Sequence, residues 1–119
     1  MAEAKSIDKA DEVRDFDKGR VEVVTVGSTT LTRSTMQPGW RWSQCVKPIA
    51  GTDSCQVPHN GYSISGQLRV RQDDGTEIEI NPGDAYSIDP GHDAGVVGDE
   101  PWVGVDFSPV MAADFAKRQ

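Results

Sequence analysis

Two histidines and two cysteines are the groups in this chain best suited to metal ligation or proton transfer. His92 closes the stretch INPGDAYSIDPGHD, residues 80 to 93, which contains two Pro-Gly pairs. Proline fixes φ at about −65° and glycine takes the positive φ that follows, so each pair makes a tight turn. Ala85 to Asp89 therefore reads as a short strand between two turns, with His92 delivered at the mouth of the second. A neutral imidazole titrates at about pH 6.5 and ligates metals, and a thiolate is a ligand for zinc, iron or copper. Two readings of His92 stand side by side. It either reaches a pocket with Asp93 beside it to orient the ring, or belongs to a turn in which His92 or Asp93 bonds backbone amides.

The scaffold for these groups is legible from Val21 to Phe107 as short strands and turns. Val21–Val26 and Thr29–Met36 are β-branched and meet at Gly27-Ser28. Leu68 and Val70 alternate with Gln67, Arg69 and Arg71; Asp74-Gly75 then turns the chain into Thr76–Ile80. That is a hairpin with one dry and one wet face. Ala85–Asp89, Gly95–Val97 and Trp102–Phe107 continue the series, and regular short strands read as an all-β barrel or sandwich. Residues 1–20 are expected to form an N-terminal arm, with Ser6 capping a short helix over Ile7 to Phe16. Residues 21–108 form the barrel, and 109–119, after Ser108-Pro109, a short helix and tail.

Parity along two segments bears on the site. Trp40 and Trp42 share one face of an expected strand, with Arg41, Ser43, Cys45 and Lys47 on the other. The tryptophan face needs cover, from the arm or from a second subunit. His59, Ser63 and Ser65 share a parity opposite to Tyr62 and Ile64. If His59 faces inward, the latter two face out, unless Asn60-Gly61 forms a bulge.

Bulk properties narrow the function. The chain has 119 residues, enough for one domain, and 36% of them are hydrophobic, with a mean hydropathy of −0.51. A thin barrel is easier to fill at that level than a thick α/β core. Net charge is −7, from 12 basic and 19 acidic residues, which argues against nucleic-acid binding. No apolar run is long enough to span a membrane, and the charged segment MAEAKSIDKADEVRD is no secretory signal. A cytoplasmic protein with reduced cysteines is expected; a Cys45–Cys55 disulfide is the minor alternative.

GYSISG followed by the Asp-Gly hairpin and then PGDAYSIDPGH resembles the cupin superfamily, over roughly Gly39 to Phe107. The segment Trp40 to Cys55, with its W-x-W and VKPI-x-GTDSC, is similar to one group of small single-domain cupins. The resemblance implies a double-stranded β-helix (jelly-roll) barrel with up to four metal-ligand positions. Laid from Gly39, the first cupin motif puts Cys45 and Lys47 at the two histidine positions and His59 at the glutamate position. In the second motif the expected histidine position holds Ala94, and His92 comes two residues early.

Two functions follow from that register. One is a binding or accessory module that holds a small polar or anionic ligand in the barrel, lined by Trp42, Cys45, Lys47, His59, His92 and Asp93. Lys47 either fixes an anionic group there or pairs with Asp53. The other is a metal-dependent enzyme of oxygenase, isomerase or hydrolase type, with zinc, iron or copper on Cys45, His59 and His92. In either, His92 is expected at the open end of the barrel with His59 deeper, in a homodimer covered by the Trp40/Trp42 region or by residues 1–30.

Overall fold

Residues 2–117 are described, from a computed structural model. A single 3-10 turn, Ile7–Lys9, precedes strands β1 (Glu12–Phe16), β2 (Gly19–Val26) and β3 (Thr29–Met36). Two short helices follow, α1 (Trp42–Cys45) and α2 (Lys47–Ala50). Then come β4 (His59–Ser65), β5 (Gln67–Gln72), β6 (Glu77–Ile80), β7 (Ala85–Ile88), β8 (His92–Val97), β9 (Trp102–Asp106) and α3 (Pro109–Asp114).

The strands make two antiparallel sheets, one in the order β1-β2-β3-β9-β4-β7 and the other β6-β5-β8. This is the jelly-roll barrel expected of the sequence. Their inner faces enclose a core that includes Val21, Val23, Met36, Leu68, Val70, Ile80, Ile88 and Trp102. The hairpin at Asp74-Gly75 forms as its sequence dictates. Gly75 takes φ 92°, and the Asp74 carboxylate accepts from the Thr76 amide at 2.8 Å. Leu68 and Val70 are buried while Arg69 and Arg71 face water.

Two expectations are corrected. Ser6 does cap a turn, accepting from the Asp8 amide at 3.1 Å, but no helix runs on to Phe16. Arg14 and Phe16 alternate inward as β1, and the turn at Lys18, with φ 56°, returns the chain along β2. A ladder of five residue pairs outcompetes the weak apolar stripe of Ile7, Val13 and Phe16. The sheet therefore starts at Glu12, inside the expected arm.

The second correction is the segment 42–50, which is helical rather than a strand. Asp93 Oδ1 accepts from the Ser43 amide at 3.0 Å and so caps α1. Pro48 fits the first turn of α2, and Gly51 at φ 73° ends it. Trp40 and Trp42 are only 3% and 2% exposed, and their cover comes from this chain's own core. Helix is thus not confined to the ends. No helix among the described residues is long and apolar enough to cross a membrane.

Candidate functional site

Three elements deliver one cluster. His59 opens β4 on the inward parity with Ser63, both buried, while Tyr62 and Ile64 face outward at about half exposure. No bulge forms at Asn60-Gly61; the register shift falls later, between Ser63 and Ser65. His92 opens β8 directly after Pro90-Gly91, with Gly91 at φ 88°. Both rings are buried, His92 at 2% and His59 at 8% exposure.

The same turn docks the third group. The Gly91 amide donates to the Cys55 carbonyl at 2.7 Å, and the Cys55 amide donates to the His92 carbonyl, also at 2.7 Å. Cys55 and His92 thereby become bridge partners. Among the described residues, Cys55, His59 and His92 form a group whose ligand atoms all lie within 4.8 Å of one another, every one buried.

Hydrogen bonds orient both rings. His59 Nδ1 donates to Asp106 Oδ2 at 3.1 Å, and Asp106 is itself 2% exposed. His92 Nδ1 donates to the Asp89 carbonyl at 2.9 Å. With both Nδ1 atoms engaged, Nε2 is the ring atom each histidine could offer a metal, and His59 Nε2 lies 3.9 Å from Cys55 Sγ. The rings meet edge to face, centroids 5.1 Å apart. Burial, reinforced by neighbouring His59, pushes the His92 pKa down to about 4. Burial pushes the Cys55 thiol up to about 11.

These groups fit a metal ion. Zinc–sulfur and zinc–nitrogen bonds of about 2.3 and 2.0 Å put tetrahedral ligand atoms roughly 3.5 Å apart; the Cys55–His59 pair at 3.9 Å is near that spacing, and the three atoms, within 4.8 Å of one another, would close around an ion by up to about 1 Å. A carboxylate behind one imidazole and a backbone carbonyl behind the other are the usual supports of ligating histidines. The partly open cavity beside the two histidines, about 40 Å³, is also lined by Trp40, Trp42, Tyr86 and Ala94. It has room for about two or three water molecules.

The other expected residues lie elsewhere. Cys45 is buried in α1 with its thiol 3.6 Å from Asp17; because 42–50 is helical, the motif register never carries it to the barrel interior. Lys47 is half-buried and pairs with Asp53 at 4.0 Å. Asp93 spends its carboxylate on the Ser43 and Ala94 amides and orients no imidazole. Trp42 does line the cavity, and neither cysteine is in a disulfide. Cys55 and Asp106 were missed as site residues. The spacing of Cys55 four before His59, and the shared parity of Asp106 with buried Trp102, were the available signals.

No protein-family model matches the chain, and no curated protein matches it. Solved structures do. The polyketide cyclase RemF from Streptomyces resistomycificus superposes with TM-score 0.65 at 15% identity, over 92% of this chain and 80% of that one. A protein of unknown function from Acidithiobacillus ferrooxidans gives 0.63 at 15%, over 91% and 94%. An RmlC-like cupin from Shewanella frigidimarina gives 0.58 at 17%, over 88% of each. At these identities the likeness is one of fold: the chain is a small cupin-fold protein.

Proposed function

We propose that the protein is a metal-binding cupin module, holding one divalent ion on Cys55, His59 and His92. What carries this reading is the convergence of three buried ligand atoms within 4.8 Å. Thiolate and imidazole favour zinc, iron or copper over magnesium. Three protein ligands leave a position for water or a small anion, which matches a cavity of about 40 Å³. A bound ion of this kind would polarise its ligand and lower the pKa of a coordinated water. Asp106 fixes the His59 ring, the Asp89 carbonyl fixes His92, and the surrounding tryptophans exclude bulk water.

A second reading, a metal-dependent enzyme acting on a small organic substrate, draws on one observation. Cys55, though itself buried, stands in the wall of an outer cleft, so only one residue layer separates the cluster from that cleft. Cobalt(II) loading tests the shared premise. A near-ultraviolet thiolate-to-cobalt band is expected in the wild type and in Cys45→Ser, and is expected to vanish in Cys55→Ser. A band that survives Cys55→Ser, or never forms, overturns the assignment.

A further inference from the structure

The outer face of the sheet β6-β5-β8 gathers charge of the sign that the chain as a whole lacks. Leu68 and Val70 point into the core, so Arg69 and Arg71 point away from it. Beyond β8, an edge of that sheet, the chain adds one more rung. The Val96 amide donates to the Trp40 carbonyl at 3.0 Å, and Arg41 pairs with Gly95 in an antiparallel bridge. Gly95 is also the register partner of Arg69. Paired residues of antiparallel strands carry their side chains on one face, so Arg41 and Arg69 rise on either side of Gly95, with Arg71 two residues along β5. The three arginines line one groove of about 220 Å³, in a chain whose net charge is −7.

Arg14, Arg20 and Arg33 sit in ion pairs elsewhere, and Arg69 pairs with Glu79 at 2.8 Å. Arg41 and Arg71 make no ion pair among the described residues. Two carboxylates share the groove, Glu77 and Asp93. Asp93 is turned to the Ser43 and Ala94 amides, and Glu77 lies opposite Arg71 in register without bonding to it. Gly95 keeps the space between the arginines open. Its backbone lies outside the left-handed region that favours glycine. A Cβ there would meet the Trp40 carbonyl at 3.5 Å and Arg41 at 3.9 Å, which are ordinary contacts. Neither conformation nor crowding demands glycine; a side chain would instead fill the room between the guanidinium groups.

We propose that this groove binds a small oxyanion, a carboxylate or a phosphate, held by Arg41 and Arg71 over the floor at Gly95. The planar guanidinium fork matches either group with two parallel hydrogen bonds. The volume, about 220 Å³, falls just below the ~300–1,000 Å³ of drug-sized sites, so the ligand has few atoms. One wall is fixed before the ligand arrives, because the Trp40–Val96 bond and the Asp93 cap on Ser43 pin the backbone on both sides of Arg41. The groove lies outside the barrel, and nothing in it depends on the metal reading.

Calorimetric titration at low ionic strength, with malonate and with inorganic phosphate as probes, tests this. One anion per chain is expected to bind saturably. Tighter malonate assigns the carboxylate class, and tighter phosphate the phosphate class. Arg41→Gln and Arg71→Gln, both at exposed positions, are each expected to weaken binding at least tenfold. Gly95→Leu leaves every charge in place and is expected to abolish it; the arginine variants keep the test decisive should that protein fail to fold. Binding undiminished in either arginine variant places the anion elsewhere, the metal's open position included, and overturns the proposal. A wild type that binds neither probe overturns it too, as does a folded Gly95→Leu protein that binds as the wild type does.

Discussion

The proton inventory at His92 has a consequence for the metal-free protein. Its folded pKa, about 4, lies below the ordinary value of 6.5 because burial, and then the neighbouring His59, disfavour the charged ring. As pH falls, the unfolded chain takes up this proton first. The contribution is therefore whole above about pH 6.5 and is lost progressively down to about pH 4, by at most about 3 kcal/mol. Urea midpoints of the metal-free wild type should fall over that window more steeply than those of His92→Asn, whose amide still donates to Asp89. Parallel curves would contradict the assignment. Asp106→Asn should lower metal affinity by about 10- to 100-fold, because the His59 Nδ1–H loses its charged acceptor; chelator competition measures this. His59 and His92 were legible from strand parity and from the Pro-Gly turn. Cys55 offered only its spacing from His59, since its place is set by backbone bonds to a turn distant in sequence.

Element packing holds β4, and with it His59, at a fixed depth. Gly61 sits where a Cβ would run into the Val105 carbonyl on β9 and the Tyr86 hydroxyl on β7. Gly61→Ala should force β4 away from these neighbours and cost about 1–3 kcal/mol. Metal affinity should fall with it, because His59 lies two residues away on the same strand. A urea midpoint and a chelator titration check both effects; an unchanged midpoint would show that β4 is not pinned there. Alternation and turn chemistry made the strands and the Asp-Gly hairpin readable. The helical segment 42–50 was not readable, because its cap comes from Asp93 on a distant strand. The register that assigned Cys45 to the interior failed for that same reason.

At the scale of the molecule, the apolar surface left uncovered differs from the one expected. With Trp40 and Trp42 inside, the exposed large apolar groups among the described residues are Val13, Ile78 and Val110, and, on or just past the neighbouring strands β4 and β9, Tyr62, Ile64 and Phe107 at 47%, 49% and 53%. Apolar clusters of this kind mark interfaces, and the protein is expected to dimerise through this sheet. Sedimentation should report twice 12.9 kDa for the wild type and the single mass for Ile64→Lys/Phe107→Lys. A wild-type monomer at micromolar concentration would contradict this. The central claim, however, concerns the ion and not the assembly. Metal analysis of protein purified without an affinity tag under reducing conditions tests it most directly. The expected result is about one zinc, iron or copper per chain, lost in Cys55→Ser and kept in Cys45→Ser. A folded wild type that carries only trace metal, and takes up none when zinc is supplied, would contradict the account.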